Sequence, residues 1–184
     1  MDSTTGTAAV QLLAWYNQRA NEALHDVLDG LDGDASDLAT RPGTTWIGSI
    51  LDVLAHVVFS DIAWMRRLWP ERVSDPELTL PAASKFDNPF ESLGSWWEAR
   101  TRTDSYIVSV VVAVSVESLN DVVRYQNLKG EPFAQKRWEC LLHVFNHETH
   151  HRGQVIQVLD EHEVENDISN LIFYVRDRDR SPDD

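Results

Sequence analysis

The chain has one cysteine, Cys140, and a lone thiol closes no internal disulfide. No basic-then-apolar signal pattern opens it, and no apolar run approaches the roughly 20 residues that span a bilayer. The expected compartment is the cytoplasm, with no membrane as partner. Basic residues are scarce too, 16 against 30 acidic ones, for a formal charge of −14. That field repels phosphate backbones and anionic lipid, so nucleic acid is not an expected partner. Internal repeats and low-complexity segments are missing. What is present is 184 residues of 42% hydrophobic content, enough for one domain over 1–184 that buries about 70% of its unfolded surface. Its ordered core is expected at about 8–175, with 1–7 and 176–184 flexible.

Histidine is the residue type with an uneven distribution. Of seven, His143, His147, His150 and His151 fall within nine residues. Leu141, Leu142, Phe145, Val155, Ile156, Val158 and Leu159 recur around them at helical spacing, and no proline interrupts; the pattern predicts one long helix from about Arg137 to His162. Residues four apart on a helix share a face, so His143, His147 and His151 form a stripe, and neighbours in it can bind one metal. A solvated polar face is the plainer alternative. The apolar surroundings favour a metal.

Three further helices are expected. The first runs from about Ala8 to Asp29, ended by the acidic, glycine-bearing stretch that closes with Pro42-Gly43. The second runs from about Thr45 to Leu68 or Trp69, ahead of Pro70, and within its apolar surface Asp52, His56 and Ser60 make a narrow polar row. A long crossover, Glu71 to Asp87, leads to Asn88-Pro89-Phe90-Glu91, which reads as an N-cap, first-turn proline and capping box. The third helix follows to about Val116, although its β-branched half, Ile107 to Val114, has strand propensity. Val122–Gln126 and Phe133–Lys136 suit a short hairpin, and Asn166 to Tyr174 a short C-terminal helix. The fold class is all-α, an antiparallel four-helix bundle with a long crossover between its second and third helices.

Metal sites in bundles form from side chains on facing helices. His56 is the histidine of the second helix placed to meet the stripe; by itself it also suits a satisfied core or surface position. Three neutral imidazoles without a carboxylate suit zinc or nickel, with manganese or iron admissible, and three protein ligands leave positions open for water or substrate.

Three segments carry a resemblance, from Trp15 to roughly Tyr174. They are Tyr16-Asn17-Gln18-Arg19-Ala20-Asn21; Ile47-Gly48-Ser49-Ile50 leading to His56 and then Asp61-Ile62-Ala63-Trp64-Met65-Arg66-Arg67-Leu68; and Phe145-Asn146-His147-Glu148-Thr149-His150-His151-Arg152-Gly153-Gln154. In this order they resemble the DinB/YfiT-like family of metal-binding four-helix bundles. The resemblance places the family's metal triad on His56, His147 and His151. It implies a thiol-dependent transferase that joins a low-molecular-weight thiol (bacillithiol, mycothiol or glutathione) to a small electrophile, or a thiol-dependent isomerase, and a homodimer. A metal-binding stress-response or sensor module without catalysis is the alternative.

His147-Glu148-Thr149-His150-His151 also satisfies the His-Glu-x-x-His pattern of zinc proteases, with Glu148 as general base. The long form needs glycine at 154 and histidine at 157, where Gln154 and Gln157 stand, so a zinc hydrolase is the weaker reading. His143 and Glu148 are the catalytic candidates, His143 as a group behind the ligands or a proton shuttle, with a packing role as its alternative. Asn17, Asn21 and Trp64 are candidates for substrate binding, the asparagines otherwise serving helix packing. Cys140, two turns before His147, is expected as a small buried residue.

Overall fold

The computed structural model describes residues 3–82, 84–127 and 129–180, with side chains from residue 6. The elements run α1 (Ser3–Asp29), α2 (Ile50–Leu68), α3 (Leu93–Val112), α4 (Val116–Asn120), β1 (Val122–Gln126), β2 (Pro132–Lys136), α5 (Arg137–Glu161) and α6 (Leu171–Asp179). The structure is mostly helical, with one small antiparallel sheet. Among these helices none is long and apolar enough to cross a membrane.

The four long helices surround one core. α1 packs on α3 and α5, and α2 packs on the same two. Each contributes an apolar stripe at helical spacing: Leu24 and Leu28 from α1, Ile50, Leu54, Val58 and Met65 from α2, Ile107 and Val111 from α3, Leu141, Phe145, Val155 and Leu159 from α5. Truncating one such leucine to alanine costs about 2–5 kcal/mol, lost burial plus the cavity left behind. Arg137 sets the register of α5 against α2: its guanidinium donates to the Leu68 carbonyl at 3.1 Å and the Ser118 carbonyl at 2.9 Å. The start of α5 is thereby tied to the end of α2, so the two helices run in opposite directions and His56 faces the middle of α5.

Several boundaries differ from expectation. α1 begins at Ser3, so the lead expected to be flexible is largely helical; residues 1 and 2 lie outside the described chain. α2 begins at Ile50 because Ser49 caps it in a reciprocal capping box with Asp52. Gly48 just before it has φ 141°, and a Cβ there would sit 2.2 Å from Asp52 Oδ2, so only glycine fits. α3 starts at Leu93, capped by Ser92 with Ser95. Asn88 is spent elsewhere, donating to Asp52 Oδ1 at 2.8 Å while its own oxygen accepts from Phe90 N at 2.9 Å.

The β-branched half of α3 is helical to Val112, since Ile107, Val110 and Val111 all bury against the core and packing outweighs local propensity. The chain then breaks, and α4 is a separate short helix capped by Ser115. The hairpin forms as expected, its second strand starting one residue earlier at Pro132, with Val122 opposite Lys136 and Gln126 opposite Pro132. The last helix is shifted from the expected 166–174 to Leu171–Asp179, so part of the tail expected to be mobile is ordered; 181–184 lie outside the described chain.

Candidate metal centre

His56 from α2 and His147 and His151 from α5 converge, with one ring nitrogen of each within 4.8 Å of the others. Ring centres lie 5.3 Å apart for His56 and His147, 4.8 Å for His56 and His151, and 4.4 Å for His147 and His151. The two α5 histidines meet because four residues make about one turn. Their Nε2 atoms are 3.1 Å apart, close to the roughly 3.3 Å between two nitrogens on one tetrahedral ion.

Neighbouring acceptors fix which nitrogen faces the centre. His56 Nδ1 lies 3.0 Å from the Lys85 carbonyl, which can only accept, so the proton is on Nδ1 and the Nε2 lone pair is free. For His151 the logic runs through two side chains. The Trp46 indole N–H, donor only, lies 3.2 Å from Gln154 Oε1; the atom it meets must be the amide oxygen. His151 Nδ1 is 2.7 Å from that same oxygen, so it donates too, and Nε2 again presents a lone pair. His147 Nδ1 is buried without a partner.

Burial, then the nearby His151 and His56 rings, pulls the His147 pKa from 6.5 to about 3. Burial likewise takes His151 to about 4 and lowers His56. All three rings are therefore neutral near pH 7, the form in which imidazole ligates. Donor type, tautomer, spacing and protonation fit a divalent cation, and the cluster can hold one. No carboxylate, thiol or fourth histidine joins it among the described residues.

The other expected site residues lie in two places. His143 is exposed at the edge of the α2–α5 face, its ring 5.0 Å from Trp64 and 5.8 Å from His147; both flank the cluster without entering it. His150 turns away, toward Gln154 Nε2 at 3.3 Å.

Glu148, Asn17 and Asn21 belong instead to a buried polar network on the core-facing side of α5. Arg152 donates to Glu148 at 3.1 Å and to Asn17 Oδ1 at 2.7 Å, and Asn21 donates to Glu148 at 3.1 Å. Arg100 donates to Asp61 at 2.6 Å and to Asp104 at 2.7 Å. Two guanidiniums thus face three carboxyls, one negative charge in excess. Burial and the neighbouring Glu148 carboxylate raise Asp61 well above its ordinary value, which favours its protonated form. Burial pushes Glu148 up as well, but Arg100 and Arg152 outweigh it and hold Glu148 ionised. Asp104 rises to about 6, again chiefly through burial.

Glu148 is fully buried between Arg152, 3.1 Å away, and Arg100, 3.9 Å away, and is not among the groups that converge at the centre. The protease geometry suggested by the His-Glu-x-x-His match is therefore absent, and Glu148 does not stand at the centre as a base. Asn17 and Asn21 join α1 to α3 and α5 through this network, with Asn21 bordering a small internal cavity between Glu148 and His151. Cys140 is buried, and burial raises its thiol pKa.

Sequence reasoning missed Trp46, Lys85, Phe86 and the role of Gln154. Gln154 carried one available signal, its position three residues after His151 on one helix. The other three come from connections, where periodicity is silent.

A helical protein with three neutral histidines converging between two helices is thus the class defined by fold and site. The DinB family model matches residues 1–175, and the chain belongs to the DinB family. None of the curated proteins matches it.

Proposed function

We propose that the protein is a divalent-metal-dependent thiol S-transferase, built as an antiparallel four-helix bundle and acting on small electrophiles through His56, His147 and His151. The observation that carries this reading is the donor set: three neutral imidazoles with no carboxylate and no fourth protein ligand among the described residues. A cation held so keeps its full charge and open positions, and zinc or nickel is favoured by all-nitrogen ligation. The chemistry it supplies when bound is a lowered pKa for a thiol that reaches it, hence thiolate at neutral pH.

The chain's own groups do the rest. The acceptors behind His56 and His151 hold their lone pairs inward. His143, whose pKa is lowered by desolvation against its neighbours and by the Arg67 charge, takes the thiol proton from the open side. The thiolate sulfur forms a bond to the electrophilic carbon as the leaving group departs with its electron pair. Cys140, buried, takes no part.

The test is conjugation of glutathione, bacillithiol and mycothiol to a haloarene or bimane reagent. Turnover is expected to need thiol and metal, to vanish with chelator and to survive Cys140→Ala. No turnover with any of the three thiols across a varied electrophile panel refutes the transferase, and a metal-binding module without catalysis becomes the better account.

A further inference from the structure

Lys85 and Phe86 arrive from the crossover between α2 and α3 and lie against the histidine centre. The Phe86 ring stacks on His56, 6.0 Å away and 14° from parallel. Trp46 stands edge-on to both, 6.3 Å from Phe86 and 6.4 Å from His56. Trp46 is 61% and Phe86 60% exposed, so their outer faces cover nothing in the core. Two large exposed rings beside the histidine cluster form a ready surface for a flat apolar body, because ring contacts add to simple burial.

The charge here is also out of keeping with the chain. The Lys85 ammonium lies 4.8 Å from the Phe86 ring centre, and its positive charge bears on both His56 and His151. Although acidic residues outnumber basic ones 30 to 16, Lys85 has no carboxylate partner among the described residues. A half-buried cation left without a counter-ion on an acidic protein favours an anion from outside. Arg67, another cation without a carboxylate partner among the described residues, lies over two rings, Trp64 and Tyr125, 4.9 and 5.7 Å away, and its charge bears on His143 rather than on His56 or His151.

We propose that this mouth selects a small aromatic carboxylate, its ring lying on the outer faces of Trp46 and Phe86 and its carboxylate paired with Lys85 beside His56. The inference rests on the transferase reading only in taking that molecule to be the electrophile.

Calorimetric titration of the full chain with 2-naphthoate and 2-naphthamide tests it, on chelator-treated protein so that a metal cannot bind the carboxylate directly. Naphthoate is expected to bind about tenfold more tightly, as for a hydrogen bond between charged groups, with the preference shrinking in high salt. Lys85→Gln, which leaves the backbone carbonyl on His56 in place, is expected to abolish the preference. Trp46→Ala and Phe86→Ala are each expected to weaken both ligands about 2–10-fold. Equal affinity for the two ligands overturns the proposal, as does a preference that survives Lys85→Gln or is lost in Arg67→Gln instead. Lys85-dependent naphthoate binding without any thiol transfer supports the proposal and removes the transferase. Transfer to neutral and anionic aromatic electrophiles with the same KM in wild type and Lys85→Gln does the reverse.

Discussion

The Trp46 indole N–H and the His151 imidazole meet at a single oxygen, Gln154 Oε1, at 3.2 and 2.7 Å. Because indole can only donate, the loop residue fixes the amide orientation, and the amide fixes the tautomer of His151 one turn away. Removing the amide lets the His151 proton reside on either nitrogen. Gln154→Ala is expected to weaken zinc binding about 10–100-fold, the usual range for a group that orients a metal-ligating histidine, with Trp46→Phe giving a smaller loss. Competition with a chromophoric chelator measures the affinity. Nitrogen NMR of the metal-free protein reads the tautomer directly: one Nδ1–H form at His151 in wild type, a mixture in Gln154→Ala.

How much of this was legible beforehand depended on whether the signal was periodic. The spacing of His147 and His151, and the apolar positions around them, are properties of one helix and are readable as such. His56 needed the long crossover and the family resemblance to bring α2 opposite α5. Ser92 as the cap of α3 was hidden by a competing signal at Asn88-Pro89, and the hydrogen bond from Asn88 to Asp52, 36 residues away, decided between them. Glu148 shows the limit most clearly. Its motif suggested a catalytic base, whereas its real partners, Arg100 and Arg152, are set by which face of α5 turns inward.

Metal content is expected to separate His56, His147 and His151 from the histidines beside them. His56→Ala, His147→Ala and His151→Ala are each expected to lower bound metal well below one ion per chain, while His143→Ala and His150→Ala leave it unchanged. Elemental analysis of purified protein checks both halves. A metal that binds only the folded state adds about 2.7 kcal/mol at a free concentration one hundred times Kd. The three ligand variants are therefore also expected to lose the rise in Tm that added zinc gives the wild type.

The lowered histidine pKa values set a pH dependence for the metal-free protein. His147 and His151 titrate near 3 and 4 in the folded chain against 6.5 ordinarily, so below 6.5 the unfolded chain binds more protons. Their contribution to stability is fully present above pH 6.5 and is lost as pH falls toward 4. Asp61 and Asp104, both raised, act in the opposite sense over part of that range. The difference between wild type and His147→Gln/His151→Gln isolates the histidines. Urea midpoints of chelator-treated protein from pH 7.5 to 5 are expected to fall more steeply for wild type; parallel curves would show that the rings do not resist protonation.

Within the buried network, Asp61 and Glu148 are expected to respond in opposite ways to the same kind of change. Asp61 Oδ1 and Glu148 Oε1 are both buried without a hydrogen-bond partner, and each carboxyl bears on the other's titration, so a proton on Asp61 would let it donate to Glu148. An asparagine side chain in its place would reproduce that arrangement, the amide oxygen accepting from Arg100 and the amide nitrogen donating to Glu148. Asp61→Asn is accordingly expected to cost less than about 1 kcal/mol, the scale of a neutral hydrogen-bond exchange. Glu148→Gln removes the negative charge that stands between Arg100 and Arg152, 3.9 and 3.1 Å away. An uncompensated buried charge costs about 3–5 kcal/mol, so this variant is expected to unfold at much lower urea. Equal losses in the two variants would mean that Asp61 is ionised in the folded protein and that the core carries a net negative charge.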